Sequence, residues 1–509
     1  MTFQRSPAGA THALRLGRRT FIRSVGASVA GLVVGCGRQV SDGETTSGST
    51  DAVSPTLAPG QPLPTLPVLR NESGDVSRFA ATLIASHDDV EVIPGRTTSL
   101  ARYNHHSPGP LIELVEGQRV RIELDNRLAQ PTTIHWHGLP VPADQDGNPM
   151  DPVAAGTRHV YEFELPAGTG GTYWYHPHPH DLTASQVAEG LAAPLVIRAA
   201  DDPLAHIPEV TMFVTGITLD PNAQIAADDA IDWTIGRQRD LLLVNGARLP
   251  VHAVAPGTTE RWRIVNATAA IHLRLALEGH TFTLVGTDGG LLGEPVEGLA
   301  EYLLAPAQRV ELLVKANASP NGRYPLRALR YATDLMGIGT YVDQDVLTLE
   351  TTNALPAPPV AVPVKLRPIA DLGAATARVD VSFDEADLCT SKGAKRTFLI
   401  NGRMFDMNRV DVVSEVGRVE LWTVVNNTTM AHPFHIHGTQ FQLVSRTFGT
   451  ETTPAPYLAW IETVLVPPGQ TATIKVRQTL PGKRMFHCHI LQHEDNCMMA
   501  IVDVLDASA

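Results

Sequence analysis

Three short segments of this 509-residue chain repeat one pattern. Arg121-Ile122-Glu123-Leu124-Asp125-Asn126, Arg261-Trp262-Arg263-Ile264-Val265-Asn266 and Leu421-Trp422-Thr423-Val424-Val425-Asn426 each alternate in polarity and end in asparagine. A period of two gives a strand one apolar and one polar face, so each segment reads as a half-buried β-strand. Each follows a glycine turn, at Gly117, Gly257 or Gly417, and precedes further β-branched runs broken by Pro and Gly. That succession is the signature of antiparallel β-sandwiches, and its recurrence implies related domains. We therefore expect an all-β chain of three sandwiches, over residues 77–200, 201–355 and 356–509. Helical periodicity is confined to residues 184–189.

The repeats also locate the chemistry. Counting nine and eleven residues on from each asparagine gives His135 and His137, then Leu275 and Leu277, then His435 and His437. On this correspondence the outer sandwiches carry metal ligands, the middle one is a spacer without them, and a site lies between the outer two. His272 stands at the offset of six that gives His432, but has no cysteine nearby and reads as structural.

Four clusters hold ten of the twenty histidines: His135 and His137; His176 and His178; His432, His435 and His437; and His487, His489 and His493. In an extended strand alternate side chains share a face about 7 Å apart, so each His-x-His pair presents two imidazoles together. Four pairs make eight ligands, enough to hold three copper ions with positions left for dioxygen. Cys488, between His487 and His489, points to the opposite face and serves a different ion. With His432, His493 and an axial thioether from Met498 it completes the donor set of a blue-copper electron-transfer site. The tripeptide His487-Cys488-His489 would join the two centres over a distance on the order of 13 Å. Four copper ions match the four electrons that convert dioxygen to two waters.

With these clusters and with Gln186-Val187-Ala188-Glu189-Gly190-Leu191-Ala192, Asp288-Gly289-Gly290-Leu291-Leu292, residues 400–408 and His437-Gly438-Thr439-Gln440-Phe441, the chain resembles the multicopper oxidases, and among them bacterial copper-efflux oxidases and laccases. The resemblance implies three cupredoxin-like Greek-key β-sandwiches and four coppers per chain. It implies a type 2 copper on His135 and His435, and a type 3 pair on His137, His176, His178, His437, His487 and His489. The type 1 copper would take His432, Cys488, His493 and Met498. Asp146 and Glu494 match family carboxylates that relay protons to the cluster, as general acid chemistry requires. His105, His106 and His180 lack ligand spacing and read as structural.

The reducing substrate is read from the same resemblance. Copper-efflux oxidases carry a Met-rich insertion that gathers Cu(I), whereas residues 384–397 here are short and contain no Met. Met430 matches a substrate-site methionine of those enzymes, while Thr428 stands where they have a carboxylate. The expectation is a laccase-like oxidase of phenols or similar small reductants with an accessible type 1 edge, and a cuprous oxidase is the alternative. A copper-sequestering protein is the non-enzymatic reading.

The formal net charge of −13 disfavours nucleic acid as a partner, since phosphate binding draws on clustered Lys and Arg. Arg18-Arg19-Thr20-Phe21-Ile22-Arg23 before a weakly apolar run resembles a twin-arginine export signal. Val33-Val34-Gly35-Cys36 resembles a lipobox, so residues 1–36 form a signal and Cys36 either carries a lipid or lies near a plain cleavage site. Residues 37–76, rich in Gly, Ser, Thr and Pro at first, read as a flexible linker. No later run is apolar enough to cross a membrane. The expected product is a monomer in the periplasm or at the cell surface. Cys389 and Cys497 remain for a disulfide or for separate packing.

Overall fold

The computed structural model describes residues 54–339, 342–387, 392–393 and 396–507. The signal, with Cys36, and Cys389 of the candidate disulfide lie outside these residues.

Strands form six sheets among the described residues, arranged as three pairs. In the first pair, Arg96–Tyr103, Arg78–Ile93, Arg119–Asn126 and Arg158–Glu164 face Ile112–Val115, Ala193–Arg198, Gly171–His176 and His135–His137. The second and third pairs each combine a six-stranded with a five-stranded sheet.

One connectivity recurs. Each repeat strand lies parallel to the first strand of its sandwich: Arg119–Asn126 on Arg78–Ile93, Thr259–Asn266 on Glu209–Ile217, and Val419–Asn426 on Ala377–Ala386. In the opposite sheets Ile112–Val115, Val251–Val254 and Val412–Glu415 each run parallel to the last strand of their sandwich. Parallel neighbours cannot be joined by a hairpin, so the chain crosses between sheets each time. The side chains between the sheets form separate cores. Leu83, Ile122, Trp136 and Leu195 belong to the first, Trp262, Leu284, Leu312 and Leu347 to the second, and Trp422, Phe434, Ile474 and Val502 to the third. Each such side chain contributes about 1.5–3 kcal/mol of burial.

The terminal asparagine recurs because it pins the loop entering the next strand of the other sheet. Asn126 Nδ2 donates to the carbonyls of Gln130 and Val153. Asn266 Nδ2 donates to those of Ile271 and Leu304, and Asn426 Nδ2 to those of Met430 and Val466. In the outer sandwiches the first anchor follows the asparagine by four residues, and in the middle one by five. Leu273 pairs with Leu304 as His432 pairs with Val466.

The sequence correspondence is corrected by one residue. Leu273 is the counterpart of His432, Ala276 of His435 and Glu278 of His437. Leu275 and Leu277 face the core of the middle sandwich. The extra loop residue shifts the count by one while the strand keeps its faces, so residues at equal offsets point to opposite sides.

The linker expectation is also corrected from residue 54 onward. The segment runs along the sandwiches, with Thr56 N donating to Gly246 O at 2.9 Å, Leu63 N to Val251 O at 2.9 Å and Leu69 N to Leu111 O at 2.8 Å. Leu66 and Leu69 are buried. Prolines hold the backbone extended while the residues between them pair with exposed backbone groups.

The short helix spans Thr183–Ala188. Asp495 accepts from the backbone N–H groups of Thr183 and Ala184, at 3.2 and 2.8 Å. A side chain of the third sandwich thus caps a helix of the first, in the usual manner of an N-terminal carboxylate. Among the described residues no helix is long and apolar enough to cross a membrane.

Candidate metal centre

Cys488 ends the strand Gly482–Cys488, which pairs antiparallel with His432–Ile436. This places Cys488 Sγ 3.4 Å from His432 Nδ1, and the helix Leu491–Asp495 brings His493 Nδ1 to 3.8 Å. The remaining ring nitrogens fix the tautomers. His432 Nε2 lies 2.8 Å from Thr428 Oγ1, and His493 Nε2 lies 3.2 Å from the carbonyl of Thr234. Each ring donates through Nε2 and turns a lone pair on Nδ1 toward the sulfur. Met498 donates its N–H to His493 O at 2.9 Å and accepts from Cys488 N at 3.2 Å, which puts its buried side chain in the same core as Cys488. Burial pushes the Cys488 thiol well above its ordinary value, against a modest opposing effect from the Ile490 N–H. A bound soft cation would reverse that balance, since coordination deprotonates a thiol.

The eight paired histidines converge between the first and third sandwiches. Strand pairing sets His135 beside His176, and His435 beside His487. The donor atoms of His135, His137 and His176 lie within 4.8 Å of one another, as do those of His135, His435 and His437, and those of His178, His437 and His487. His489 joins them with its ring 4.9 Å from that of His137. The Nδ1 atoms of His135, His176, His435 and His487 lie 2.9–3.0 Å from the carbonyls of Asp146, Pro177, Glu462 and Cys488. His437 Nδ1 lies 3.0 Å from Asp146 Oδ2. These bonds leave Nε2 lone pairs facing inward.

The donor set fits copper. His487 Nε2 is 3.1 Å from His437 Nε2 and 3.3 Å from His178 Nε2, while Nε2 of His135, His176, His435 and His489 and Nδ1 of His137 have no hydrogen-bond partner. Buried polar atoms left this way cost free energy unless a ligand takes them up. Burial holds His137, His176, His178, His435, His437 and His489 well below the usual imidazole value and His487 at about 3. Neutral imidazole is the form that binds a metal.

Both expected carboxylates border the cluster. Asp146 is fully buried with Oδ1 3.4 Å from His135 Nδ1. Glu494 Oε1 is 3.4 Å from His178 Nε2, and Oε2 is 3.3 Å from His487 Nδ1. Burial, reinforced by Asp495, lifts Glu494 well above the usual carboxylate range, and Asp495 itself is pushed up to about 7. A third carboxylate, Glu462, was not anticipated: its Oε1 lies 3.2 Å from His137 Nε2. The available signal was a lone acidic residue within the apolar run Ile461 to Val466.

Other sequence expectations resolve individually. His272 is buried, its Nδ1 3.2 Å from the carbonyl of Ala270 and its ring stacked on Tyr331. His105 pairs with Asp88 at the surface, and His180 packs edge-on against Phe405. Cys497 is half-buried with φ +77°. The accessible type 1 edge is corrected: His432 and His493 are 0% and 1% exposed. The backbone of residues 333–335 pairs with that of residues 429–431, and Met336 and Ile338 pack on the same core.

Three sandwiches of one topology, a histidine cluster built from the first and third, and a Cys-His₂ centre one residue away define a metal-dependent redox β-sandwich protein. Models of the multicopper oxidase family match residues 85–202, 171–342 and 380–508. The chain is 31% identical to the multicopper oxidase mco of Staphylococcus aureus over 83% of its own length and 88% of that protein. Among solved structures it is similar to a multicopper oxidase from Campylobacter jejuni described as a metallo-oxidase, at TM-score 0.83 and 38% identity, covering 89% of this chain and 98% of that one. A laccase from Pediococcus acidilactici matches at TM-score 0.77 and 29% identity, covering 90% and 97%. The chain belongs to the multicopper oxidase family. It is a copper-dependent oxidoreductase with dioxygen as electron acceptor.

Proposed function

We propose that this chain is an exported laccase-like multicopper oxidase that oxidises phenolic or similar small reductants one electron at a time and reduces dioxygen to water. The observation that carries the reading is His487-Cys488-His489: the central sulfur faces His432 and His493, while the flanking rings enter the histidine cluster. A type 1 site of His432, Cys488, His493 and Met498 follows, with a type 2 site on His135 and His435. The type 3 pair takes His137, His176, His178, His437, His487 and His489, which makes four ions per chain. Copper bound there supplies one-electron exchange and a place for dioxygen to be reduced.

The chain's own residues do the rest. Thr428 and the Thr234 carbonyl orient the two type 1 imidazoles, and Cys488 offers a covalent path of three residues between the centres. Glu494, whose protonated form burial favours, stands beside His178 and His487, and Asp146 accepts from His437. These are the placements a general acid needs. The sheet pairs support domain boundaries at residues 77–200, 201–355 and 356–509. The sequence motifs support twin-arginine export to the periplasm or cell surface, with lipid on Cys36, and we take the enzyme to be a monomer.

A cuprous oxidase is the second reading, favoured by Met430. It is buried beside His432, and Met336 packs against the same core. The deciding experiment is oxygen consumption by the copper-loaded protein with 2,6-dimethoxyphenol and, separately, with Cu(I), each with and without added Cu(II). Phenol-driven uptake independent of added copper supports the laccase. Preference for Cu(I), or phenol activity only with added copper, replaces it with the cuprous oxidase, and no uptake with either leaves copper sequestration.

A further inference from the structure

The middle sandwich holds none of the paired histidines, yet one of its side chains reaches them through a single intermediary. Arg309, at the head of the strand Arg309–Lys315, is fully buried. Its Nε donates to Thr172 O at 2.9 Å, in the strand of the first sandwich that ends at His176. Its Nη2 donates to Asp288 O at 2.9 Å and to Glu462 Oε2 at 2.9 Å, and its Nη1 donates to Glu462 Oε1. Both oxygens of Glu462 are thus held in a two-pronged clamp. A planar guanidinium fixes a carboxylate in position and orientation, which a point charge does not.

Glu462 touches two cluster rings from that clamp. Oε1 lies 3.2 Å from His137 Nε2, and the backbone carbonyl accepts from His435 Nδ1 at 3.0 Å. One donor atom from each of His137, His435 and Glu462 falls within 4.8 Å of the others. Asp288 braces the same segment, with Oδ2 3.4 Å from Glu462 N and 3.3 Å from Thr463 N. The residue after His137 makes room for the pair. A Cβ on Gly138, whose φ is +91°, would meet Arg309 Nη2 at 2.6 Å and Glu462 Oε2 at 3.0 Å. Arg309 and Asp288 also line a cavity of about 370 Å³, together with Tyr302, Tyr457 and Arg446. Arg309 thus borders that cavity while holding Glu462, which itself meets the histidines.

We propose that Arg309 is a positioning residue for the cluster: by clamping Glu462 it fixes the type 3 ligand His137 through the carboxylate and the type 2 ligand His435 through the Glu462 carbonyl. This rests on the copper assignment above. Arg309 acts through Glu462 and touches no ligand ring itself. Supporting residues of this kind alter metal affinity by about 10–100-fold when replaced.

The test uses full-length, copper-loaded protein and the variants Arg309→Gln, Arg309→Lys and Glu462→Gln. The blue absorption of the Cys488 centre reports that each is folded. The type 2 electron paramagnetic resonance signal and the copper retained against a chelator report the cluster. We expect blue Arg309→Gln protein whose type 2 signal is shifted or lost and whose type 2 copper is removed about 10–100-fold more readily, with Arg309→Lys intermediate and Glu462→Gln shifted in spectrum. Blue variants with the wild-type signal and retention would overturn the proposal, leaving Arg309 as packing between sandwiches. Should Arg309→Gln lack the blue band, Arg309→Lys and Glu462→Gln decide by the same criteria. Wild-type protein without a blue band or type 2 signal would instead remove the copper assignment, and this proposal with it.

Discussion

Thr428 Oγ1 lies 2.8 Å from His432 Nε2, which leaves His432 Nδ1 to face the Cys488 sulfur at 3.4 Å. The hydroxyl is itself held by Asn426 Oδ1 and the carbonyl of Met430. A neutral threonine therefore sets the tautomer of a histidine proposed as a type 1 ligand. Thr428→Val keeps the shape but strands a buried N–H, at a cost of about 1–3 kcal/mol. The expected result is a lower unfolding temperature together with a shifted blue band, read by calorimetry and absorption. An unshifted band would mean that the hydrogen bond does not orient His432.

Burial makes the metal-free protein sensitive to acid. His272 is held at about 4 and His493 at about 3, both by desolvation, and most cluster rings are lowered in the same sense. Unfolded, these rings take up protons near pH 6.5. Below that value the unfolded chain binds more protons than the folded one, so stability is full above about pH 6.5 and falls as the pH drops toward the folded values. For His272 alone the loss amounts to about 3 kcal/mol. Urea unfolding of metal-free protein should therefore show a much lower midpoint at pH 5 than at pH 7.5, with a shallower pH slope in His272→Leu. Equal midpoints would contradict the neutral, buried state of these rings.

The sequence was most legible where one residue type has one use. A His-x-His pair on a strand, and a cysteine inside such a pair, foretell which side chains converge because spacing alone sets the face each one takes. The repeat strands were legible for the same reason, and their asparagines recur because each satisfies carbonyls of the following loop. The faces of the middle sandwich were not legible. One additional residue between Asn266 and its anchor at Ile271 shifts the offset by one, and no local pattern marks it. Glu462 and Arg309 were hidden because their meeting depends on how separate sandwiches dock. Residues 54–76 misled by composition: proline and small residues read as a tether, while Leu66 and Leu69 are buried.

The asparagine anchors make separable predictions. Asn266→Ala removes the side-chain donor to the carbonyls of Ile271 and Leu304, of which Ile271 O keeps Thr268 Oγ1, in a sandwich without cluster histidines. It should cost about 2–4 kcal/mol and leave the blue band as it is. Asn426→Ala should cost a similar amount and also perturb the band, because the loop it pins carries Met430 and leads into His432. Thermal unfolding with absorption on the same samples compares them. A perturbed band in Asn266→Ala would show that the middle sandwich couples to the thiolate centre through its fold.

The proton role proposed for Glu494 can be tested apart from electron entry. Glu494 is buried, its carboxyl group is lifted well above the usual range, and both oxygens lack a hydrogen-bond partner while standing 3.3–3.4 Å from His487 and His178. Burial thus favours its protonated form, beside His178 and His487, where the proposed reduction of dioxygen would consume a proton. Glu494→Gln keeps the size and hydrogen-bonding capacity but has no proton to give. Anaerobic bleaching of the blue band by a reductant should proceed as in the wild type, since electron entry at Cys488 does not require that proton. Return of the band on mixing with dioxygen should slow by about 10²–10⁴-fold, the range of a positioned general acid. If bleaching slows and the return does not, Glu494 serves the thiolate centre, and the proton must come from another group such as Asp146.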